Sequence, residues 1–317
     1  MGQKMERFLK QRDYIIIAGP TAGGKSAYAV ALAKALDGVI INADSMQVYA
    51  DLSVLTARPS AADEADVPHR LYGEIDGAVR FSAGMWLEAA KRHIKAARSA
   101  GKWPILVGGT GFYLRAAEQG LSAIPDIPDN VRAEVVAEHA QKGGEAMLAY
   151  LAEVDPDIAS RLVPGDSQRL IRATEVYRHT GIALSKFQKQ PPTGGLSGKA
   201  LKITHLPPRE VIYARINTRF DEMMATTALA EVEKLLARNL AADLPVMKAL
   251  GVSALRDYLQ GKQNLEQATY LAKRDSRHYA KRQMTWLRNN FITNLLSEEL
   301  YSERNFDRFF SKILKMI

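Results

Sequence analysis

The octapeptide Gly19-Pro20-Thr21-Ala22-Gly23-Gly24-Lys25-Ser26 directly follows the run Tyr14-Ile15-Ile16-Ile17-Ala18, and this pairing limits the possible folds more than any other feature of the chain. A short, β-branched apolar run is the signature of a parallel strand buried on both faces. The octapeptide fits the Walker A pattern G-x-x-x-x-G-K-[ST], and the stretch from Ala27 to Leu36 has helical composition, so the strand-to-helix setting is present. In such a loop the glycines let backbone N–H groups face phosphate oxygens, and the helix N-terminus adds partial positive charge. Gly19, Pro20, Thr21, Ala22, Gly23, Gly24, Lys25 and Ser26 are therefore the expected phosphate-binding set. Lys25 neutralises charge, and Ser26 is the expected ligand of Mg2+, the one cofactor the sequence calls for.

The rest of the chain extends the pattern. Val39-Ile40-Ile41-Asn42-Ala43 reads as a second strand ending in Asp44, Ser82 to Ala100 as a helix, and Pro104-Ile105-Leu106-Val107 as a third strand ending in Gly108-Gly109-Thr110-Gly111. Alternating strands and helices predict an α/β fold, a P-loop NTPase-like parallel sheet core flanked by helices, with ligands outside the carboxyl ends of the strands. Composition changes near Pro125-Asp126-Ile127-Pro128-Asp129. The chain is then helical and charged to Thr180, and Gln190 to Gly198 reads as a flexible return to a strand at Leu201–Leu206. The expected organisation is a core domain in two parts, residues 1–125 and 200–317, interrupted by a helical insertion domain, 126–199. Helices from Arg209 to Arg238 and from Leu265 to Arg288 close the chain. Phe306 to Ile317 reads either as a docked amphipathic helix or as a loose tail.

Composition excludes several classes. With no cysteine there is no disulfide framework, thiolate metal site or cysteine nucleophile. No apolar run approaches the ~20 residues of a membrane span, and MGQKMERFLKQRD lacks the apolar stretch of a signal peptide. These features fit a cytoplasmic protein. The net charge of +8 points toward an acidic partner, nucleic acid among them.

A phosphate loop does not name a reaction; its neighbours do. Asp44 ends a strand at the ligand edge, where it serves either as a catalytic carboxylate or as a cap for a helix begun by Ser45-Met46-Gln47. The third strand ends in glycines rather than in the metal-binding Asp of a P-loop ATPase. That segment is either a tight turn or a place of close backbone approach where Thr110 donates a hydrogen bond. From Lys273 to Arg288, helical spacing gathers Arg274, Arg277 or His278, Lys281 and Arg288 into a basic stripe interleaved with Tyr279 and Trp286. The stripe is either a solvated charged face or a nucleic-acid surface. In the insertion, Arg169 and Arg172 either meet phosphates or pair with Glu175.

Taken in order, GPTAGGKS, Asp44 to Tyr49, Thr56-Ala57-Arg58-Pro59, Pro68-His69, GGTGFYL, Gln168 to Arg172 and Lys281-Arg282-Gln283-Met284-Thr285-Trp286 resemble the tRNA dimethylallyltransferases, from the loop nearly to Arg288. The resemblance implies transfer of a dimethylallyl group from dimethylallyl diphosphate to the N6 amine of the adenosine at tRNA position 37. The loop would then hold a diphosphate rather than ATP. Asp44 would be the base, Thr110 the donor to the departing oxygen and also a tRNA neighbour, and Arg219 a diphosphate-binding arginine. The tRNA contacts it implies are Asp44, Ser45, Met46, Gln47, Thr110, Arg132, Gln168, Arg169, Leu170, Ile171, Arg172, Lys281, Arg282, Gln283, Met284, Thr285, Trp286, Leu287 and Arg288. Its other implications are an anticodon stem-loop partner, no membrane, and a monomer. The acceptor base must leave its stack to reach a sheet-edge pocket. This chain departs from the pattern at Val54-Leu55, Arg58, Arg70 and His278. Around Gly251 it also lacks the usual Tyr and basic residue.

Two other enzyme readings share the core. A P-loop small-molecule kinase would use Asp44 to orient a hydroxyl and Arg169 and Arg172 as lid residues, but has no use for the basic C-terminal helix. An adenylate isopentenyltransferase acting on free nucleotides would need no extended basic surface. A noncatalytic RNA-binding NTPase would leave Asp44 and Thr110 without work.

Overall fold

A computed structural model describes residues 12–315, so most of the segment read above for a signal peptide lies outside the described residues. The chain divides into two compact units, one running to Glu118 and resuming at Leu196, the other Gln119–Gly195. The second unit thus begins and ends a few residues earlier than the insertion expected at 126–199.

The larger unit is built on a six-stranded parallel sheet of order β3-β2-β4-β1-β5-β6. The strands are β1 Tyr14–Ala18, β2 Gly38–Asn42, β3 His69–Arg70, β4 Trp103–Gly108, β5 Ala200–His205 and β6 Leu295–Ser297. β1 and β2 are buried along their whole length, as continuous apolar runs in a parallel sheet must be. β2 starts and stops one residue earlier than the apolar run suggests, which puts Ala43 beyond the last strand residue. β1 lies at the topological switch point, with β4 on one side and β5 on the other. All carboxyl ends share one edge, so the segments after β1, β2, β4 and β5 converge there.

One face of the sheet packs Ile15, Ile17, Ile40, Ile105 and Leu201 against Tyr28, Leu32 and Ala33 of the Lys25–Leu36 helix. Phe309, Phe310 and Ile313 of the Glu303–Lys315 helix complete this layer, so the C-terminal segment is a docked helix as far as Lys315, and its last two residues lie outside the described residues. The apolar spacing 306, 309, 310, 313 is one helical face. A second cluster joins Val48, Tyr49 and Leu52 to Phe220, Val232, Val252, Leu255 and Ala268. Its helices are Arg209–Met224, Ala228–Ala237, Val252–Leu259 and Leu265–Asn290, so the helical stretch from Arg209 to Arg238 is broken once.

The smaller unit has its own core of Val135, Met147, Leu151, Leu170, Val176 and Phe187. It contains the Asp129–Val154 helix, kinked at Gly143 where φ is 78°, and the Ser167–Thr180 helix.

Candidate active site

The phosphate loop leaves β1 and folds back on itself through Gly23 N–H, which donates to Pro20 O at 3.2 Å. Gly24 takes φ +94°, a left-handed turn that only glycine adopts freely, and so delivers Lys25 and Ser26 to the first turn of the helix. The loop is held from several directions by side chains distant in sequence. Gln283 Oε1 accepts from Thr21 N–H at 2.8 Å, and Gln283 Nε2 donates to Gly109 O at 2.9 Å. Arg219 donates to Thr21 Oγ1 at 2.7 Å, and Arg215 Nε donates to Ala22 O at 2.8 Å. His205, at the end of β5, lies 2.6 Å from Gly23 O through Nε2.

This arrangement concentrates positive charge. Lys25 is desolvated enough for its ammonium to fall to about 8, with Arg219 contributing to the fall and Asp44 opposing it. Burial, and then repulsion from Arg215, lowers Arg219 as well. A group of stacked cations that disfavour their own charge is stabilised by an arriving polyanion.

Asp44 stands across from these cations. Its Oδ1 accepts from Met46 N–H at 2.9 Å, and its own N–H donates to Asn42 Oδ1 at 2.8 Å. The carboxylate therefore does cap the following residues, but as a two-residue turn, since no helix begins at Ser45. Asn42 is fully buried and fixed in turn, donating to Leu71 O at 2.9 Å while its carbonyl accepts from Trp86 Nε1 at 2.8 Å. Thr110 Oγ1 accepts from Ser45 N–H at 3.0 Å, so the strand ends bearing Asp44 and Thr110 are tied together.

The glycines of Gly108-Gly109-Thr110-Gly111 serve close approach. A Cβ on Gly109 would lie 2.4 Å from both Gly19 O and Gln283 Nε2, and one on Gly111 would lie 2.5 Å from the Trp286 ring. A cavity of about 270 Å³ is lined by the polar side chains of Thr21, Asp44, Ser45, Arg219, Tyr279 and Arg282 together with the apolar ones of Leu55, Ile216, Phe220, Met223 and Leu250. Tyr279 has its hydroxyl beside Thr110 and Gln283; burial, and then the Asp44 charge, push its phenol up.

Several residues expected at a tRNA surface turn inward. Gln283, Met284 and Leu287 are buried, because they occupy the core-facing side of the Leu265–Asn290 helix. Gln283 joins the loop after β1 to the loop after β4. Gln47 donates to Thr56 O and Ala57 O at 3.0 and 2.8 Å, which stabilises the turn after β2. Lys281, Arg282, Thr285 and Arg288 remain exposed, with Trp286 between them. The basic stripe is shorter than its spacing suggests: Arg274 pairs with Asp275, and Arg277 donates to Asn217 Oδ1 at 2.6 Å.

In the smaller unit Leu170 and Ile171 are core residues, while Gln168 and Arg169 are exposed. The pairing with Glu175 holds for one of the two arginines. Arg172 pairs with buried Glu175 at 2.7 Å, joined by Arg132 at 2.8 Å, whereas Arg169 reaches only Asp166 at 3.2 Å and stays in solvent. His205, Arg215 and Gln283 as loop supports escape sequence reading, since nothing local marks them.

Among the described residues no group of three His, Cys, Asp or Glu side chains could hold a metal. Ser26 is exposed at the loop mouth, and a single hydroxyl suits Mg2+, which keeps water and phosphate oxygens as most of its ligands.

Residues 47–290 match the IPP transferase family. A tRNA dimethylallyltransferase of Rhodopseudomonas palustris is 51% identical over 276 residues, covering 87% of this chain and 87% of the relative. The full-length tRNA isopentenylpyrophosphate transferase of Bacillus halodurans superposes with a TM-score of 0.67 at 32% identity, over 96% of this chain and 97% of that one. A eukaryotic dimethylallyltransferase acting on tRNA aligns with a TM-score of 0.76 at 26% identity, over 95% of this chain and 77% of that one.

Proposed function

The chain belongs to the IPP transferase family, the tRNA dimethylallyltransferases, and on that premise we propose how its site works: it transfers a dimethylallyl group from dimethylallyl diphosphate to N6 of the adenosine at tRNA position 37. The observation that carries this reading is the mixed lining of one cavity. Thr21 and Arg219 of the phosphate site share it with Asp44, and its apolar side chains suit a five-carbon chain.

The phosphate loop holds the diphosphate, with Lys25 and Arg219 nearest the charge that grows as the C1–O bond breaks. Ser26 would hold Mg2+ together with diphosphate oxygens and water, and the ion supplies further charge neutralisation when bound. The adenosine is flipped out of the anticodon loop, and its N6 attacks C1 of the allyl group. Asp44 accepts the N6 proton as the bond forms, since Oδ1 is engaged by Met46 N–H and Oδ2 is left for the acceptor. Thr110 donates toward the departing oxygen. The exposed cations Lys281, Arg282 and Arg288 face tRNA phosphates, with Trp286 available for stacking. Arg169 of the smaller unit contributes a further phosphate contact. A tRNA acceptor supports a cytoplasmic location, and the presence of these groups on one chain supports action as a monomer. No described helix is long and apolar enough to cross a membrane.

The test is incubation of the purified protein with Mg2+, dimethylallyl diphosphate and unmodified tRNA, followed by mass spectrometry of the digested tRNA. The expected product is N6-isopentenyladenosine, with AMP and ATP poor acceptors. Absence of the added five-carbon unit, or equal reaction with AMP, would overturn the reading.

A further inference from the structure

β5 ends in a histidine where the sheet meets the phosphate loop. His205 is only 1% exposed, its ring lies against Tyr28 with centroids 4.8 Å apart, and its Nε2 is 2.6 Å from Gly23 O. A carbonyl oxygen can only accept, so Nε2 carries the proton and the imidazole donates. Nδ1 is then the unprotonated nitrogen; it is buried near the Ser297 backbone and makes no well-formed hydrogen bond among the described residues. Burial first, and then the charges of Lys25 and Arg215, keep the ring neutral by lowering its pKa to about 4.

The consequence lies on the other side of the peptide. In a planar trans peptide the C=O and the following N–H point in opposite directions. A ring that holds Gly23 C=O toward β5 therefore turns Gly24 N–H the other way, into the loop. Gly24 is the left-handed residue immediately before Lys25. Its amide stands beside the orphan N–H groups of the first helical turn, the kind of site that takes a phosphate oxygen. The ring lies at ordinary contact distance from Gly24, where a Cβ would sit 3.5 Å from His205 Nε2, while the backbones approach closely, a Cβ on Gly19 falling 2.6 Å from His205 O.

We propose that His205 is a positioning residue for the donor's diphosphate, acting through the Gly23–Gly24 peptide to aim one backbone donor of the phosphate loop. This rests on the reading of the loop as a diphosphate site. His205 touches neither the diphosphate nor the acceptor, and its contribution falls on donor binding rather than on tRNA binding.

Three substitutions separate this role from packing. His205→Phe keeps a ring without a donor, His205→Gln carries an amide donor near the reach of Nε2, and His205→Asn carries one near the reach of Nδ1. Calorimetry with inorganic diphosphate and Mg2+ reads the site without turnover, and steady-state kinetics give the KM for dimethylallyl diphosphate at saturating tRNA. His205→Phe is expected to weaken both by about tenfold, the ordinary worth of one hydrogen bond, with tRNA affinity unchanged. His205→Gln is expected to recover most of the loss and His205→Asn none of it. Wild-type diphosphate affinity in His205→Phe would overturn the proposal, as would equal affinities in the Gln and Asn variants, a comparison that stands even if the Phe variant fails to fold. Failure of the wild-type protein to bind diphosphate at all would instead remove the functional reading beneath it.

Discussion

Gln283 Oε1 accepts the backbone N–H of Thr21 at 2.8 Å across 262 residues of sequence, and its Nε2 donates to Gly109 O at 2.9 Å. One buried amide thus spans the loop after β1 and the loop after β4. Its two ends have opposite hydrogen-bonding character, so a single orientation satisfies both partners. The helix that carries the exposed cations also fixes the spacing of the catalytic loops from its inner face.

Gln283→Leu keeps the volume and leaves Thr21 N–H and Gly109 O unpaired. It is expected to cost about 1–3 kcal/mol of stability and to raise the donor KM more than it changes tRNA affinity. Thermal unfolding, with donor and tRNA titrations kept separate, checks both parts. A selective loss of tRNA affinity would return Gln283 to the RNA-contacting set.

Asp44→Asn preserves the Oδ1 acceptor that Met46 N–H uses and replaces the oxygen left for the acceptor amine. The turn should persist while the base is lost. Single-turnover rates are expected to fall by about 100-fold or more, with tRNA affinity unchanged within about twofold. Equal losses in rate and affinity would demote Asp44 to a binding residue.

Glu175 is 1% exposed and accepts from both Arg132 and Arg172. Glu175→Gln leaves these guanidinium groups without their counter-charge in the smaller unit. A destabilisation of about 3 kcal/mol is expected, confined to residues 119–195 and visible as faster amide exchange in the Asp129–Val154 and Ser167–Thr180 helices. Uniform loss of protection across the chain would contradict it.

His205 supplies a pH dependence with a definite sign. Its folded-state pKa is lowered to about 4 from an ordinary value of 6.5, so the unfolded chain binds its proton first as pH falls. Stability from this group is complete above about 6.5 and is lost between there and about 4, in total on the order of 3 kcal/mol. Unfolding midpoints of the wild type and His205→Gln at pH 7.5 and 4.5 isolate the contribution. The variant is expected to lose less stability on acidification, and parallel loss in the two proteins would refute the assignment.

β1, the loop, Asp44 and Thr110 were legible in the sequence because each signal is local: an apolar run followed by a glycine pattern or a charge. Arg219 entered only through family resemblance, and the loop contacts of Gln283, His205 and Arg215 could not be read. These side chains return to the loop across 262, 182 and 193 residues, and no short window encodes such a return. β3 and β6, two and three residues long, have no run to betray them. In the basic helix, composition gave the charge, but which face pointed outward depended on packing, which took Gln283, Met284 and Leu287 inward.

Arg282 tests the outward face. It is exposed, and its guanidinium lies 5.7 Å from the ring centroid of Tyr279, which lines the cavity with Asp44. Two contributions are therefore combined in one side chain, a charge for RNA phosphate and a planar group resting on the ring beside the acceptor site. Arg282→Ala removes both. The slope of log affinity against log salt is expected to become shallower by about one contact, and tRNA binding at low salt to weaken about tenfold. Arg282→Lys retains the charge and loses most of the stacking, so it should keep the wild-type salt slope while turnover falls through a less ordered Tyr279. Titrations of labelled anticodon stem-loop at several salt concentrations, paired with single-turnover rates, resolve the two effects. A wild-type salt slope in Arg282→Ala would remove this residue from the phosphate-contacting surface.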